Sequence, residues 1–297
     1  MTPPSAQSFD LTPIRSIYPF AQHSFSVDGG VLNYVDEGNG PAVIMLHGNP
    51  TWSFMYRRLI ADLRRDFRVI VPDHIGCGLS SKPQNYSYRL EKHIEHVSAL
   101  IQHLGITEAD LIVHDWGGAI GFGYAIRREI KVRSFVVFNT AAFLSKNLPR
   151  RINMCRQPLL GDLIIRGLNG FALGATYMAV ARPMAPEVRK GFVLPYNNWR
   201  NRVANLRFVQ DIPMEPSHPT WAVVDGIDQQ LYHFQDTPMR ILWGAKDWCF
   251  DLTFLEGWMR RFPKAHVTLL DSAGHYVLED AHEYCVPAVR HFLTYGC

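Results

Sequence analysis

Five apolar runs of strand length in this 297-residue chain are each followed at once by side chains capable of chemistry. After AVIML comes His47-Gly48-Asn49-Pro50, and after DLIV comes His114-Asp115-Trp116-Gly117-Gly118. After SFVVF comes Asn139, after RILW comes Gly244-Ala245-Lys246-Asp247, and after HVTLL comes Asp271-Ser272-Ala273-Gly274-His275. Open α/β sheets bind ligands outside the carboxyl ends of their strands, so such a fold would gather these positions. The strongest signal is Val113-His114-Asp115-Trp116-Gly117-Gly118. A nucleophile elbow is a sharp strand-to-helix turn with a strained central residue and small neighbours. Here the central residue is Asp115, backed by Gly117 and Gly118, while Val113 departs from the glycine many serine elbows carry there. A carboxylate so placed can attack an sp³ carbon and displace a leaving group, leaving an ester on the enzyme. Such a nucleophile needs an acid and a histidine later in the chain, in that order, and Asp247 and His275 supply it.

Each of these residues also has a plain structural reading. Asp115 suits a helix N-cap, Asp247 suits a turn, and most of the chain's 13 histidines must be structural. The joint placement of all three just past apolar runs favours chemistry.

The elements that would position them follow from periodicity. HSFSV and VLNYVDE flank the Asp28-Gly29-Gly30 turn as two strands. The later runs at 42–46, 68–71, 110–113, 134–138, 240–243 and 266–270 are rich in Val and Ile and do not alternate with polar residues. That is the signature of strands buried on both faces of a parallel sheet. Helical patterns at Phe54–Arg65, Leu90–Leu104, Ala119–Glu129 and Glu283–Leu293 lie between or after them, which predicts a mostly parallel, doubly wound α/β sheet. Between Asn139 and Pro238 the strand rhythm stops. The expectation is a core domain of residues 1–139 and 239–297, with a helical cap at 140–238 inserted after the sixth strand.

Composition removes several classes of function. With 47% hydrophobic and 19% charged residues the chain is an ordinary globular protein. A net charge of +3 with scattered arginines and lysines predicts neither nucleic acid nor an anionic membrane as partner. Five cysteines without a C-x-x-C spacing argue against a disulfide framework or a zinc site and point to a reducing, cytoplasmic compartment. MTPPSAQSFDLTPIRSIYPF has no apolar core of a signal peptide. The run Leu159 to Ala181 is interrupted by Asp162, Arg166 and Asn169, so no membrane span is expected.

The segments HGNPTWSFMYR, VPDHIGCGLSSKP, VHDWGGAIGFGYA, LPYNNWRNRVANLRFVQDIP, WGAKDWCFD and GHYVLED resemble the haloalkane dehalogenases of the α/β-hydrolase fold. The likeness is to the third subfamily and to its close relative, the bacterial β-lactone decarboxylase of long-chain olefin biosynthesis. It spans roughly residues 30 to 293. The resemblance implies Asp115 as nucleophile, His275 as base and Asp247 as the acid that orients it. It implies Asn49 and Trp116 as the two halide-binding donors. The second subfamily has its acid, a glutamate, where Asn139 stands, so the acid role falls to Asp247. The implied activity is cleavage of carbon–halogen bonds to alcohol and halide, or conversion of long-chain cis-β-lactones to olefins and carbon dioxide. The implied substrate is small and hydrophobic, with no metal or organic cofactor. The implied partners are further copies in a large homo-oligomer or other olefin-pathway enzymes.

Two rivals differ in chemistry. A serine hydrolase needs a G-x-S-x-G elbow, which the chain lacks. An epoxide hydrolase shares the HDWG aspartate but polarises its substrate with two cap tyrosines, for which Tyr177 and Tyr196 are candidates. Asn49 opposes this, since an aromatic residue usually follows His-Gly there. A non-catalytic binding protein on this fold is opposed by the intact Asp–Asp–His set. Phe143, Leu144, Leu163, Ile164 and Phe171 either line a pocket for alkyl chains or form the cap's own core.

Overall fold

The computed structural model describes residues 9–296. Met1–Ser8, on which the signal-peptide reading partly rests, and Cys297 lie outside the described residues. Eight strands form one sheet: β1 (His23–Val27), β2 (Gly30–Glu37), β3 (Ala42–Leu46), β4 (Arg68–Asp73), β5 (Glu108–Asp115), β6 (Lys131–Thr140), β7 (Met239–Gly244) and β8 (His266–Leu270). Their order is β1-β2-β4-β3-β5-β6-β7-β8. Strand β2 runs antiparallel to β1 and β4, and every other pairing is parallel. Each expected strand is present, and the mostly parallel sheet with helices on both faces is the arrangement anticipated from the runs.

All five residues of β3 and the last seven of β5 are buried, which explains their unbroken apolar pattern. The helices of the sheet layers are α1 (Arg57–Leu63), α2 (Leu90–His103), α3 (Trp116–Ala125) and, after the insertion, α9 (Leu252–Arg261), α10 (Val277–Asp280) and α11 (His282–Tyr295). One apolar cluster joins α2, α3 and α9 to one face of the sheet; a second joins α1 and α11 to the other. Helix α3 is buried along nearly its whole length, so it has no polar face to reveal a period.

Between β6 and β7 there is no strand among the described residues. The chain forms α4 (Arg150–Arg156), a π-helical turn (Asp162–Gly167), α5 (Gly170–Met178), α6 (Pro186–Val193), α7 (Val203–Gln210) and α8 (Pro219–Asp228). Ile152, Cys155, Ile165, Leu206 and Val209 make a small separate core among α4, the π-turn and α7. Helix α8 behaves differently: its Val224 and Ile227 join the cluster around α3, beside the sheet. No described helix is long and apolar enough to cross a membrane.

One buried ion pair ties the chain after His275 to α1 within the same layer. Arg57 donates to both carboxylate oxygens of Glu279, at 2.5 and 2.7 Å, and the side chains are 3% and 6% exposed. Arg57 also lies 4.4 Å over the Phe54 ring. Truncating one partner leaves the other charge buried and unpaired, a change that costs about 3–5 kcal/mol. Arg57→Ala should lower the urea midpoint accordingly; a loss under about 1 kcal/mol would show that the pair does not anchor this region.

Candidate active site

Asp115 ends β5 and directly precedes α3, with φ 53° and ψ −127°. A non-glycine residue rarely takes a positive φ, and such strain persists only where the surroundings hold it. Two close approaches hold it here. A Cβ on Gly117 would fall on the Leu46 backbone oxygen, and a Cβ on Gly48 would fall on the Asp115 side chain. The Thr140 hydroxyl also donates to the Asp115 backbone oxygen. Asp115 does not cap α3 through the usual side-chain bond. Its Oδ1 instead accepts the Asn49 backbone N–H at 2.6 Å.

His275 sits in the turn after β8, and Asp247 in the turn after β7. His275 Nδ1 lies 2.7 Å from Asp247 Oδ2, and His275 Nε2 lies 3.7 Å from Asp115 Oδ2. The second oxygen of Asp247 accepts the N–H groups of Cys249 at 2.7 Å and Phe250 at 3.1 Å, which fixes the carboxylate. With Nδ1–H donated to Asp247, the neutral ring presents its Nε2 lone pair on the Asp115 side. Asn139 takes no part. It accepts from Gly244 N–H at 2.7 Å and donates to Gly244 O at 3.1 Å, bridging β6 to β7.

The charges are coupled. Burial raises the Asp115 carboxyl above its usual range, opposed by His275 and by the N–H groups of Asn49 and Trp116. Burial pulls His275 down, but the charge and hydrogen bond of Asp247, with Asp115 behind them, outweigh it and leave the imidazole raised.

Above Asp115 opens a cavity of about 400 Å³. Asn49, Asp115, Trp116 and His275 all line it, so the structure gathers those four residues; Asp247 stands behind His275. Asn49 Nδ2 donates one hydrogen to the Asn205 backbone oxygen at 3.1 Å, leaving its second N–H free. The Trp116 ring packs on Phe208 at 5.4 Å, and its indole N–H has no acceptor among the described residues. Most of the wall is apolar. Phe143, Leu144, Ile164 and Phe171 line it, whereas Leu163 does not and is 57% exposed. The epoxide-type tyrosines are elsewhere: Tyr177 is exposed beneath the Arg189 guanidinium, and buried Tyr196 bonds to Thr51 O and Gly78 N. Neither lines the cavity.

Tyr276, Phe250 and Trp248 line the cavity without having been singled out. Phe250 stacks on His275 at 5.6 Å. Adjacency to His275 and Asp247 was the available signal, but aromatic residues in such turns read equally well as core. Among the described residues no group of three His, Cys, Asp or Glu could hold a metal ion. Asp247→Asn removes the largest influences raising His275 and leaves only Asp115 to oppose burial. Imidazole NMR titration should therefore show the His275 pKa above the ordinary histidine value in the native protein and below it in the variant. An unchanged titration would break the inferred coupling.

A family model for the alpha/beta hydrolase fold matches residues 41–282. The chain is 45% identical over 290 residues to a cis-3-alkyl-4-alkyloxetan-2-one decarboxylase of Xanthomonas campestris, covering 93% of this chain and 97% of that protein. It is 28% identical to haloalkane dehalogenase 2 of Mycobacterium tuberculosis, covering 95% and 98%. The crystal structure of a haloalkane dehalogenase from Bradyrhizobium elkani matches with a TM-score of 0.85 at 25% identity, covering 92% of this chain and 97% of that one.

Proposed function

The chain belongs to the alpha/beta hydrolase family and is an enzyme, and on that premise we propose that its Asp115 carboxylate is alkylated by displacement at an sp³ carbon. The supporting observation is an ionisable carboxylate at a strained elbow, 3.7 Å from a histidine held by a second carboxylate, under a large apolar cavity. Asp247 orients His275, and the free N–H groups of Asn49 and Trp116 receive the departing anion. In a water-poor cavity such donors act strongly.

Two substrates fit this scheme. With an alkyl halide, Asp115 forms a C–O bond as the carbon–halogen bond breaks. His275 then takes a proton from water, whose oxygen attacks the ester carbonyl and releases alcohol, halide and a proton. With a cis-3,4-dialkyl-oxetan-2-one, Asp115 attacks C4 and the ring oxygen leaves as a carboxylate still attached through C3. Loss of carbon dioxide then forms the C3–C4 double bond and expels Asp115, giving an olefin without consuming water. The physiological reading is the oxetanone: the decarboxylase relative is far more similar than the dehalogenase relative, and the cavity wall suits two alkyl chains. The dehalogenase reading rests on the shared fold and on Asn49 and Trp116, whose N–H pair suits halide. The cytoplasm, and a large homo-oligomer or assembly with olefin-pathway enzymes, complete the proposal.

A 1-bromoalkane and a long-chain cis-dialkyl oxetanone given side by side should both turn over, with the larger kcat/KM for the oxetanone. Rapid bromide release with no olefin would reverse that order, and inactivity on both would reject the displacement scheme. Asp115→Ala should abolish both reactions in a folded protein. His275→Ala should accumulate an alkyl adduct from the bromoalkane, visible by intact mass; its absence would contradict the order of steps. Because the base must be neutral, bromoalkane hydrolysis should rise as pH climbs through the elevated His275 pKa. Asn49→Ala and Trp116→Phe should each slow the displacement by about 10²–10³; undiminished rates would remove the pair from the site.

A further inference from the structure

The overall charge of +3 conceals a separation. Residues 141–190 hold eight arginines and lysines against Asp162 and Glu187, a net +6, so the remainder of the chain is net −3. The same segment displays large apolar side chains to solvent: Leu159 at 85%, Leu168 at 67%, Leu163 at 57% and Leu173 at 42% exposure. They sit around the π-turn and on α5, which pack on each other and, through the π-turn, on α4. Leu159 takes a positive φ of 63°, a conformation unfavourable for leucine, at the most exposed of these positions.

The same elements reach the cavity wall through Arg151, Met154, Phe171 and Met178. Met154 and Met178 are 46% and 43% exposed and also line the cavity, and Arg151 between them donates to the Met178 sulfur at 3.4 Å. Lys146 and Arg150, just before and at the start of α4, are exposed cations of the same segment. An apolar face set among basic residues is the composition of an element that lies in a membrane interface, its leucines among the acyl chains and its cations among anionic headgroups. A second copy fits poorly, since an isologous contact would set this cationic surface against itself.

We propose that the α4–α5 face docks on an anionic lipid surface, so that an apolar substrate passes from the bilayer into the cavity without crossing water. The docking rests on the surface alone; the delivery rests also on the proposed apolar substrate. The test is flotation of the full chain with phosphatidylcholine vesicles containing phosphatidylglycerol, and with phosphatidylcholine vesicles alone. Binding should require the anionic lipid and weaken as salt is raised. Leu159→Ser/Leu163→Ser should reduce it about tenfold or more, while leaving the melting temperature and turnover of a water-soluble bromoalkane unchanged. Those controls separate loss of docking from misfolding and from failure of the proposed chemistry. No flotation by the native protein would overturn the proposal, as would flotation indifferent to the double substitution. A native dimer in sedimentation that the double variant makes monomeric, without flotation, would assign the face to a second copy. Capture of the native chain by an acidic protein in place of vesicles would assign it to a protein partner.

Discussion

The site is organised around one carboxylate held out of water, where burial works against its charge and its neighbours work for it. Asp115 is only 6% exposed, and an unpaired buried carboxylate would take up a proton. The surrounding structure counters this from three directions: the Asn49 N–H from the turn after β3, the Trp116 N–H at the start of α3, and His275 after β8. The N–H groups can point at it only because the backbone turns sharply there. That turn is possible only because Gly117 and Gly48 let β3 and β5 press together at the elbow. The strain at Asp115 and the side-chain size at two neighbouring glycines are thus one constraint.

The same economy explains the other histidines near the site. His47, His74 and His114 are fully or nearly fully buried, and burial depresses each of them, His47 to about 3. Burial disfavours their charged form, and their ring nitrogens meet backbone groups: His114 Nε2 bonds to the His275 backbone oxygen at 2.9 Å, and His47 Nε2 accepts the His74 N–H at 3.1 Å. Only His275 among them faces two carboxylates, so it alone is pulled toward the protonated state. Two carboxylates, Asp247 at Nδ1 and Asp115 on the Nε2 side, separate His275 from its neighbours electrostatically.

The segment between β6 and β7 divides its work along its length. Its early part, α4 to α5, carries the apolar cavity wall on one side and an exposed basic and apolar face on the other. Its α7 supplies the Asn205 oxygen that fixes Asn49, and its α8 packs into the layer beside the sheet. The expected border at Pro238 marks where the strand rhythm resumes; α8, before it, packs with α3, because an amphipathic helix settles wherever its Val224 and Ile227 find an apolar partner.

The eight strands were legible because a doubly covered sheet demands unbroken β-branched runs, and the runs in this chain have no competing period. The order Asp115, Asp247, His275 was legible because the fold places the end of each run on one edge. Asn139 could be set aside in advance only through family resemblance; the structure supplies the physical reason, its two bonds to Gly244. What the one-dimensional pattern could not decide is which apolar and aromatic residues face the cavity. Leu163 and Ile164 are neighbours of the same type, yet a π-turn sends one to solvent and the other to the wall. Tyr177 and Tyr196 were equal candidates until packing put one on the surface and locked the other against Thr51 and Gly78. The net charge and its concentration in residues 141–190 are legible in the sequence, whereas the exposure of Leu159, Leu163, Leu168 and Leu173 in that segment is decided by packing. Sequence determines which side chains exist and the period that sorts them into elements. Direction and neighbourhood come from how those elements pack, because hydrophobic burial is non-directional and is satisfied by any arrangement that excludes water.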